Sequence, residues 1–158
     1  MKKGLLCGAL AGLLLVAVSG QAAEKWDQNS YTDNAISAGY YDVSSIKSQG
    51  GVVSWTERYV LTPEGAGYVN NLIAKYPGCK ERIAKEGKAA EYQMDYEVKN
   101  NKQYRGAAKR YYSSSKKLIC TNKETGPEFS TEWRKIVRDS PIQQAQYDLV
   151  TKYKVKFQ

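Results

Sequence analysis

The chain has 158 residues, 25% of them charged, with 24 Lys and Arg against 16 Asp and Glu, a formal net charge of +8 and no histidine. The missing imidazole excludes the commonest general base, the commonest zinc ligand and any Ser-His or Cys-His nucleophile pair. The length suits one domain with a single core.

The first segment reads MKKGLLCGALAGLLLVAVSGQAAEKW. Lys2 and Lys3 form a short positive start, Gly4 to Val18 are fifteen apolar or small residues, and Ser19, Gly20, Ala22 and Ala23 precede the polar Glu24. This order is that of a secretory signal peptide, and the run is shorter than the roughly 20 residues that a spanning helix needs. Residues 1–22 are therefore expected to be removed, with cleavage after Ala22 or Ala23. A retained anchor is the alternative; no transmembrane helix is expected in the mature chain. Cys7 sits near the start of the apolar run, after Leu6, so it does not read as a lipid-modified cysteine.

Residues 23–158 then form a single domain. After a loose leader anchored by Trp26, Tyr40 to Val43 reads as a short strand and Ser48 to Gly51 as a turn. Val52 to Leu61 reads as a longer strand with Val53, Trp55, Tyr59 and Leu61 on one face, because apolar residues recur with period two. Pro63 to Lys75 has near-helical apolar spacing, and a second short helix is expected from Cys79 to about Glu86, with Gly87 placed to end it. From Ala90 to Lys99, Tyr92, Met94, Tyr96 and Val98 alternate with Glu91, Gln93, Asp95, Glu97 and Lys99, as in a strand with one buried side. Asn100-Asn101 suits a hairpin turn, followed by strands over 103–112 and 116–121. Residues 121–131 read as a polar loop. Ser140-Pro141-Ile142-Gln143 is an N-cap, a first-turn proline and a capping-box glutamine, opening a helix whose stripe is Ile142, Ala145, Leu149, Val150 and Tyr153. The expected fold class is α+β: an antiparallel β-sheet with short helices and a C-terminal helix packed on it.

Loss of the leader leaves Cys79 and Cys120. In an oxidising compartment an even count points to a disulfide, worth roughly 4 kcal/mol for a loop of about 40 residues in the chain-entropy model. Two free buried thiols are the competing reading. The spacing rules out a CxxC redox motif, and two thiols cannot make a tetrathiolate metal site.

Removing Lys2 and Lys3 lowers the formal charge from +8 to about +6. For an exported protein, this balance suggests acidic glycans, lipopolysaccharide or acidic host proteins as partners, against the plainer reading of solubilising charge. Basic and tyrosine residues interleave at Lys102, Tyr104, Arg105, Lys109, Arg110, Tyr111, Tyr112, Lys116 and Lys117, which together form the candidate binding surface. Stacking with cationic contacts is also how single-stranded nucleic acid is held, but export argues against nucleic acid as a partner. The alternative is that these tyrosines are half-buried sheet residues with wet hydroxyls. Glu91, Asp95 and Glu97 share one strand face and could in principle supply a carboxylate pair; a solvated charged face is the simpler reading. "GAGYVNN" lacks the lysine and hydroxyl residue of a phosphate loop. No catalytic residue, metal site or cofactor is expected.

Several short patches, taken in order, resemble the bacterial surface-adhesin protein E family. They are Trp26, Tyr40-Tyr41-Asp42 with Ser45-Ile46, Gly51-Val52-Val53-Ser54-Trp55, "DYEVK…KQYR" from Asp95 to Arg105, Tyr111-Tyr112, and "EWRKIVRDSPI" from Glu132 to Ile142. The resemblance spans roughly 26–142. It implies a small exported antiparallel-sheet domain with a C-terminal helix, and a surface protein that binds extracellular-matrix and plasma proteins. Two departures stand out. There is no lipobox, and the family's cysteines, usually on the "DYEV" strand and near the C-terminus, are absent from those places. The Cys79–Cys120 pairing therefore comes from this sequence rather than from the family. The expected function is exported, non-enzymatic binding of host or matrix macromolecules or acidic glycans; the alternative is a periplasmic structural or accessory module without surface display.

Overall fold

The computed structural model describes residues 25–29, 35–126 and 129–157. The leader, with Cys7 and the cleavage positions after Ala22 and Ala23, lies outside the described residues. Strands β1 (Trp26–Gln28), β2 (Ser37–Gln49), β3 (Val52–Leu61), β4 (Ala89–Lys99), β5 (Gln103–Ser113) and β6 (Leu118–Thr121) pair antiparallel in chain order. β7 (Arg134–Lys135) pairs with the start of β5, completing a seven-stranded sheet among the described residues. Helices α1 (Pro63–Ile73) and α2 (Pro77–Glu86) lie between β3 and β4, α3 (Asn122–Thr125) follows β6, and α4 (Pro141–Tyr153) closes the chain. The fold is α+β, as the sequence predicts.

Local chemistry fixes these elements. The β2–β3 turn places Gly50 and Gly51 at φ 59° and 74°, the positive-φ pair of a tight hairpin. The β4–β5 turn uses Asn100 and Asn101 at φ 50° and 55°, since asparagine tolerates the left-handed region better than most side chains. At α1 the Thr62 hydroxyl accepts the Gly65 N–H at 3.1 Å, with Pro63 in the first turn. At α4 the Ser140 hydroxyl accepts the Gln143 N–H at 3.3 Å. The Gln143 side chain, however, accepts from Asp139 N–H at 2.7 Å, one residue earlier than a capping box requires.

Period-two alternation sends each strand's apolar residues to the side where the helices lie. α4 lays Ile142, Ala145 and Leu149 on Tyr41, Val53, Trp55 and Val98. α1 and α2 bring Val69, Ile73 and Cys79 against Ala89, Tyr111, Ile119 and Cys120. A chain of rings joins the two halves: Trp55 stacks on Tyr96 at 5.6 Å, Tyr59 on Tyr92 at 4.6 Å, and Tyr92 meets Tyr111 at 5.9 Å. The Cys79–Cys120 disulfide forms, tying α2 to β6 with both residues fully buried.

Four details differ from the sequence reading. The strand expected over Tyr40–Val43 runs from Ser37 to Gln49, with a register shift between Asp42 and Lys47 that accommodates its length. The leader contains β1, which exists only through pairing to β2. α2 begins at Pro77, where a first-turn proline needs no N–H partner. The loop after Thr121 contains α3, closed by a capping box between Thr121 and Glu124.

Candidate functional site on the helix-free face of the sheet

The nine basic and tyrosine residues do not form one surface. On β5, Tyr104, Lys109 and Tyr111 point to the helix side. Tyr104 packs against the α4 core, Tyr111 is buried, and the Lys109 ammonium lies 4.4 Å from the Tyr92 ring centre and 4.9 Å from that of Tyr111. Lys102 and Lys117 are exposed in turns. Arg105, Arg110, Tyr112 and Lys116 remain on the opposite side, which none of the described helices covers.

Arg105 and Arg110 are an odd number of positions apart, so unbroken alternation would put them on opposite faces. A register shift lets both face outward: Tyr96 pairs with Gly106, and Asp95 with Ala108. Such a bulge opposes two residues to one and reverses the phase of the strand. A Cβ at Gly106 would lie 2.5 Å from the Phe129 ring, so this position must stay bare for the 129–133 segment to cross.

On the outward face each basic group meets a carboxylate from a neighbouring strand. Arg110 holds Asp95 in a two-pronged pair at 2.7 and 2.6 Å, and Asp95 also accepts the Thr56 hydroxyl at 2.8 Å. Hydrogen bonding to Asp95 is the main reason the Arg110 pKa is raised. Arg105 contacts Glu97 at 2.7 Å. Arg58 Nε and Lys116 Nζ both lie on Glu91 Oε2, at 3.1 and 2.5 Å. Tryptophans border the array: Arg58 Cζ lies 5.3 Å from the Trp26 ring centre, and Arg105 Cζ 4.7 Å from that of Trp133. The partly exposed Arg105–Glu97 and Arg110–Asp95 pairs add only about 0–1 kcal/mol of stability each. Their main effect is to hold planar donors and acceptors in fixed places on an uncovered sheet.

Arg58, Gln93, Trp26, Tyr40 and Trp133 escaped the sequence reading as site residues, because register rather than proximity in the chain brings them together. Tyr40 faces Arg58, Arg58 faces Gln93, and Gln93 faces Arg110 across four strands. The three carboxylates Glu91, Asp95 and Glu97 do share this face, each engaged by a cation.

The helix side holds a separate polar core. Glu57 is 0% exposed and accepts from Trp55 Nε1 at 2.7 Å, Tyr59 Oη at 2.5 Å and Asn29 Nδ2 at 3.5 Å. Burial pushes the Tyr92 phenol up to about 12; the charge of Glu57 adds to that, and a hydrogen bond with Ser37 opposes it. Burial, again with Glu57, raises Tyr96 further. Among the described residues, Cys79, Cys120 and Glu124 bring potential metal-ligand atoms within 4.8 Å of one another. The two sulfurs are bonded together and Glu124 is bound by Arg82, so this trio is committed elsewhere. Burial raises the Glu124 pKa, but hydrogen bonds from Arg82 and Thr121 outweigh it and hold the carboxyl below its usual range.

No helix among the described residues is long and apolar enough to cross a membrane. Comparison with protein-family models, curated proteins and solved structures finds no match. The fold and the site define an antiparallel α+β domain with one sheet face covered by helices and the other, among the described residues, without a helix and patterned by cross-strand charge pairs.

Proposed function

We propose that this chain is an exported, non-enzymatic binding domain of the surface-adhesin protein E type, holding a macromolecular partner against the helix-free face of its sheet. The observation that carries this reading is the face itself: fixed cross-strand charge pairs between Trp26 and Trp133, with none of the described helices laid over them. Aromatic and arginine side chains are the groups most often dominant at binding surfaces. The signal-like leader and the disulfide, which persists in oxidising compartments, support export.

The balance of charge shapes the mode of binding. A dense polyanion would have to displace Glu91, Asp95 and Glu97 from their cations. A partner with its own hydrogen-bonding groups can instead dock onto the array as it stands, with charges guiding approach and register. Bulk basicity is therefore less important than the placement of individual side chains.

The test is capture of matrix proteins and unsulfated glycans by the full chain, expressed with its leader in an exporting host. Replacing Arg105 and Arg110 by Glu should abolish capture, whereas Tyr147→Ser on the far side of the molecule should leave it intact. Capture of no partner, or capture indifferent to both arginines, overturns the reading. Protease shaving of intact cells separates display from a periplasmic accessory role, because only a displayed domain is clipped.

A further inference from the structure

One cavity on the open face has a more specific chemistry than its surroundings. Its volume is about 290 Å³, and Arg58, Glu91, Gln93, Tyr112 and Lys116 line it. Glu91 is only 4% exposed, and both neighbouring cations sit against its Oε2 atom. The triad therefore carries one uncompensated positive charge. Arg58 is held in place by the Trp26 and Tyr40 rings, whose centres lie 5.3 and 5.5 Å from its Cζ. Its Nε is buried and makes no hydrogen bond, being close to Glu91 but misaligned.

Lys116 adds an independent indication. It adopts φ 63° in the turn after β5, a conformation that costs a non-glycine residue energy. The turn closes through Lys116 N–H to Ser113 O at 2.9 Å and Ser113 N–H to Lys117 O at 2.9 Å. In that geometry the ammonium reaches back over the sheet to Glu91.

We propose that this cavity binds a single carboxylate-bearing sugar ring, such as a hexuronate unit of a glycan. The proposal rests on the binding role above and names the chemistry of the partner. A monoanion neutralises the triad. The Gln93 amide offers a partner for ring hydroxyls, and Tyr112 offers an aromatic wall for the apolar side of a pyranose. The volume falls at the small end of the roughly 300–1,000 Å³ typical of ligand pockets, which suits one ring. An acidic peptide side chain would meet the cations but leave the amide and the phenol unused.

The experiment is an amide and side-chain NMR titration of the full exported protein with glucuronate. Glucose supplies the ring without the charge, and the monoanion butyrate the charge without the ring. Glucuronate should give saturable shifts at the Gln93 side-chain amide and the Trp26 indole, with affinity at least tenfold above both controls. Lys116→Met and Arg58→Lys should each weaken it about tenfold or more, and Tyr147→Ser, on the far side of the molecule, should not. Because Lys116 is a surface residue, its variant tests the site even if the Arg58 variant fails to fold. No saturable shift, equal binding of butyrate, or an unchanged Lys116→Met affinity each overturns the proposal; equal butyrate binding would point to an acidic peptide side chain instead. Capture of a macromolecule without glucuronate binding removes only this subsite. Glucuronate binding without macromolecular capture removes only the wider role.

Discussion

Reducing the Cys79–Cys120 bridge, or replacing both residues by alanine, should destabilise the domain without changing its fold. The crosslink spans a sequence separation of 41 residues and joins α2 to β6. Closing a loop of that size removes chain entropy from the unfolded state worth roughly 4 kcal/mol. A domain's whole stability is typically about 5–15 kcal/mol, so the loss is a large fraction. For a domain of this size it corresponds to a fall in melting temperature of roughly 12–16 °C. Urea unfolding followed by circular dichroism, with and without dithiothreitol, measures it. The expected result is a lower midpoint together with a steeper slope, because the freed chain exposes more surface. Both cysteines are fully buried in the core shared by α1, α2 and β6, so reduction should require partial opening and be slow in the native state. Equal midpoints for the bridged and reduced proteins would refute the entropic argument.

Other perturbations probe the joints of the fold. Asn70 fastens α1 to β4: its amide donates to Ala89 O at 2.9 Å and its carbonyl accepts from Ala89 N–H at 2.9 Å. Asn70→Ala leaves both buried backbone groups short of these partners and should cost about 2–4 kcal/mol in urea unfolding; a loss under 1 kcal/mol would mean that water replaces the amide. A Cβ at Gly65 would lie 2.0 Å from the Ile36 carbonyl oxygen, which already accepts Thr62 N–H at 3.0 Å. Gly65→Ala should therefore cost about 1–3 kcal/mol or more, with loss of amide protection at Thr62 in hydrogen exchange as its signature. Raising the pH should unfold the domain through its buried phenols. Tyr92 keeps its proton up to about 12 when folded but loses it near the ordinary value of 10 when unfolded. Its contribution is thus complete below pH 10 and lost between 10 and 12, amounting to about 3 kcal/mol, with Tyr96 acting in the same direction. Absorbance titration should show a late-ionising group of tyrosines that coincides with unfolding; a single ordinary transition with native circular dichroism intact would contradict this.

The sequence reveals an element wherever a core imposes its period. β3 and β4 are legible because Val53, Trp55 and Tyr59, and Tyr92, Tyr96 and Val98, alternate against a buried face, and α4 because Ser140 and Pro141 mark its start. β1 and β7 are only three and two residues long and carry no period of their own; they form because a sheet edge offers unpaired backbone groups. α3 has four residues, and its one signal is the Thr121-to-Glu124 capping pair within a polar stretch. The site was partly hidden for a different reason. A run of basic and aromatic residues in one strand looks continuous in sequence, yet a strand sends neighbours to opposite faces, and a bulge then reverses the phase. Arg58 had no visible partner, since Glu91 lies on another strand and only the β3–β4 register brings them together.

The sheet's edges bear on the proposal that binding belongs to its face. An open edge invites another strand, and a folded domain must suppress that route to association. On one side, β1 covers Tyr40, Tyr41 and Asp42 of β2, and beyond them β2 shifts register before Lys47, breaking the regular template. On the other, β6 and β7 cover opposite ends of β5, and between them Asn122 Oδ1 accepts the Lys109 N–H at 3.0 Å. With short strands, an irregular register and lysines at its margins, the sheet presents few free backbone groups in a continuous row. What it does present is a broad face whose charges are already paired and whose aromatic rings are already oriented. On the proposed reading, such a surface would recognise a partner by the spacing of side chains across strands. Its specificity would then depend on the β3–β4–β5 register, since a one-residue slip turns every group of this face inward.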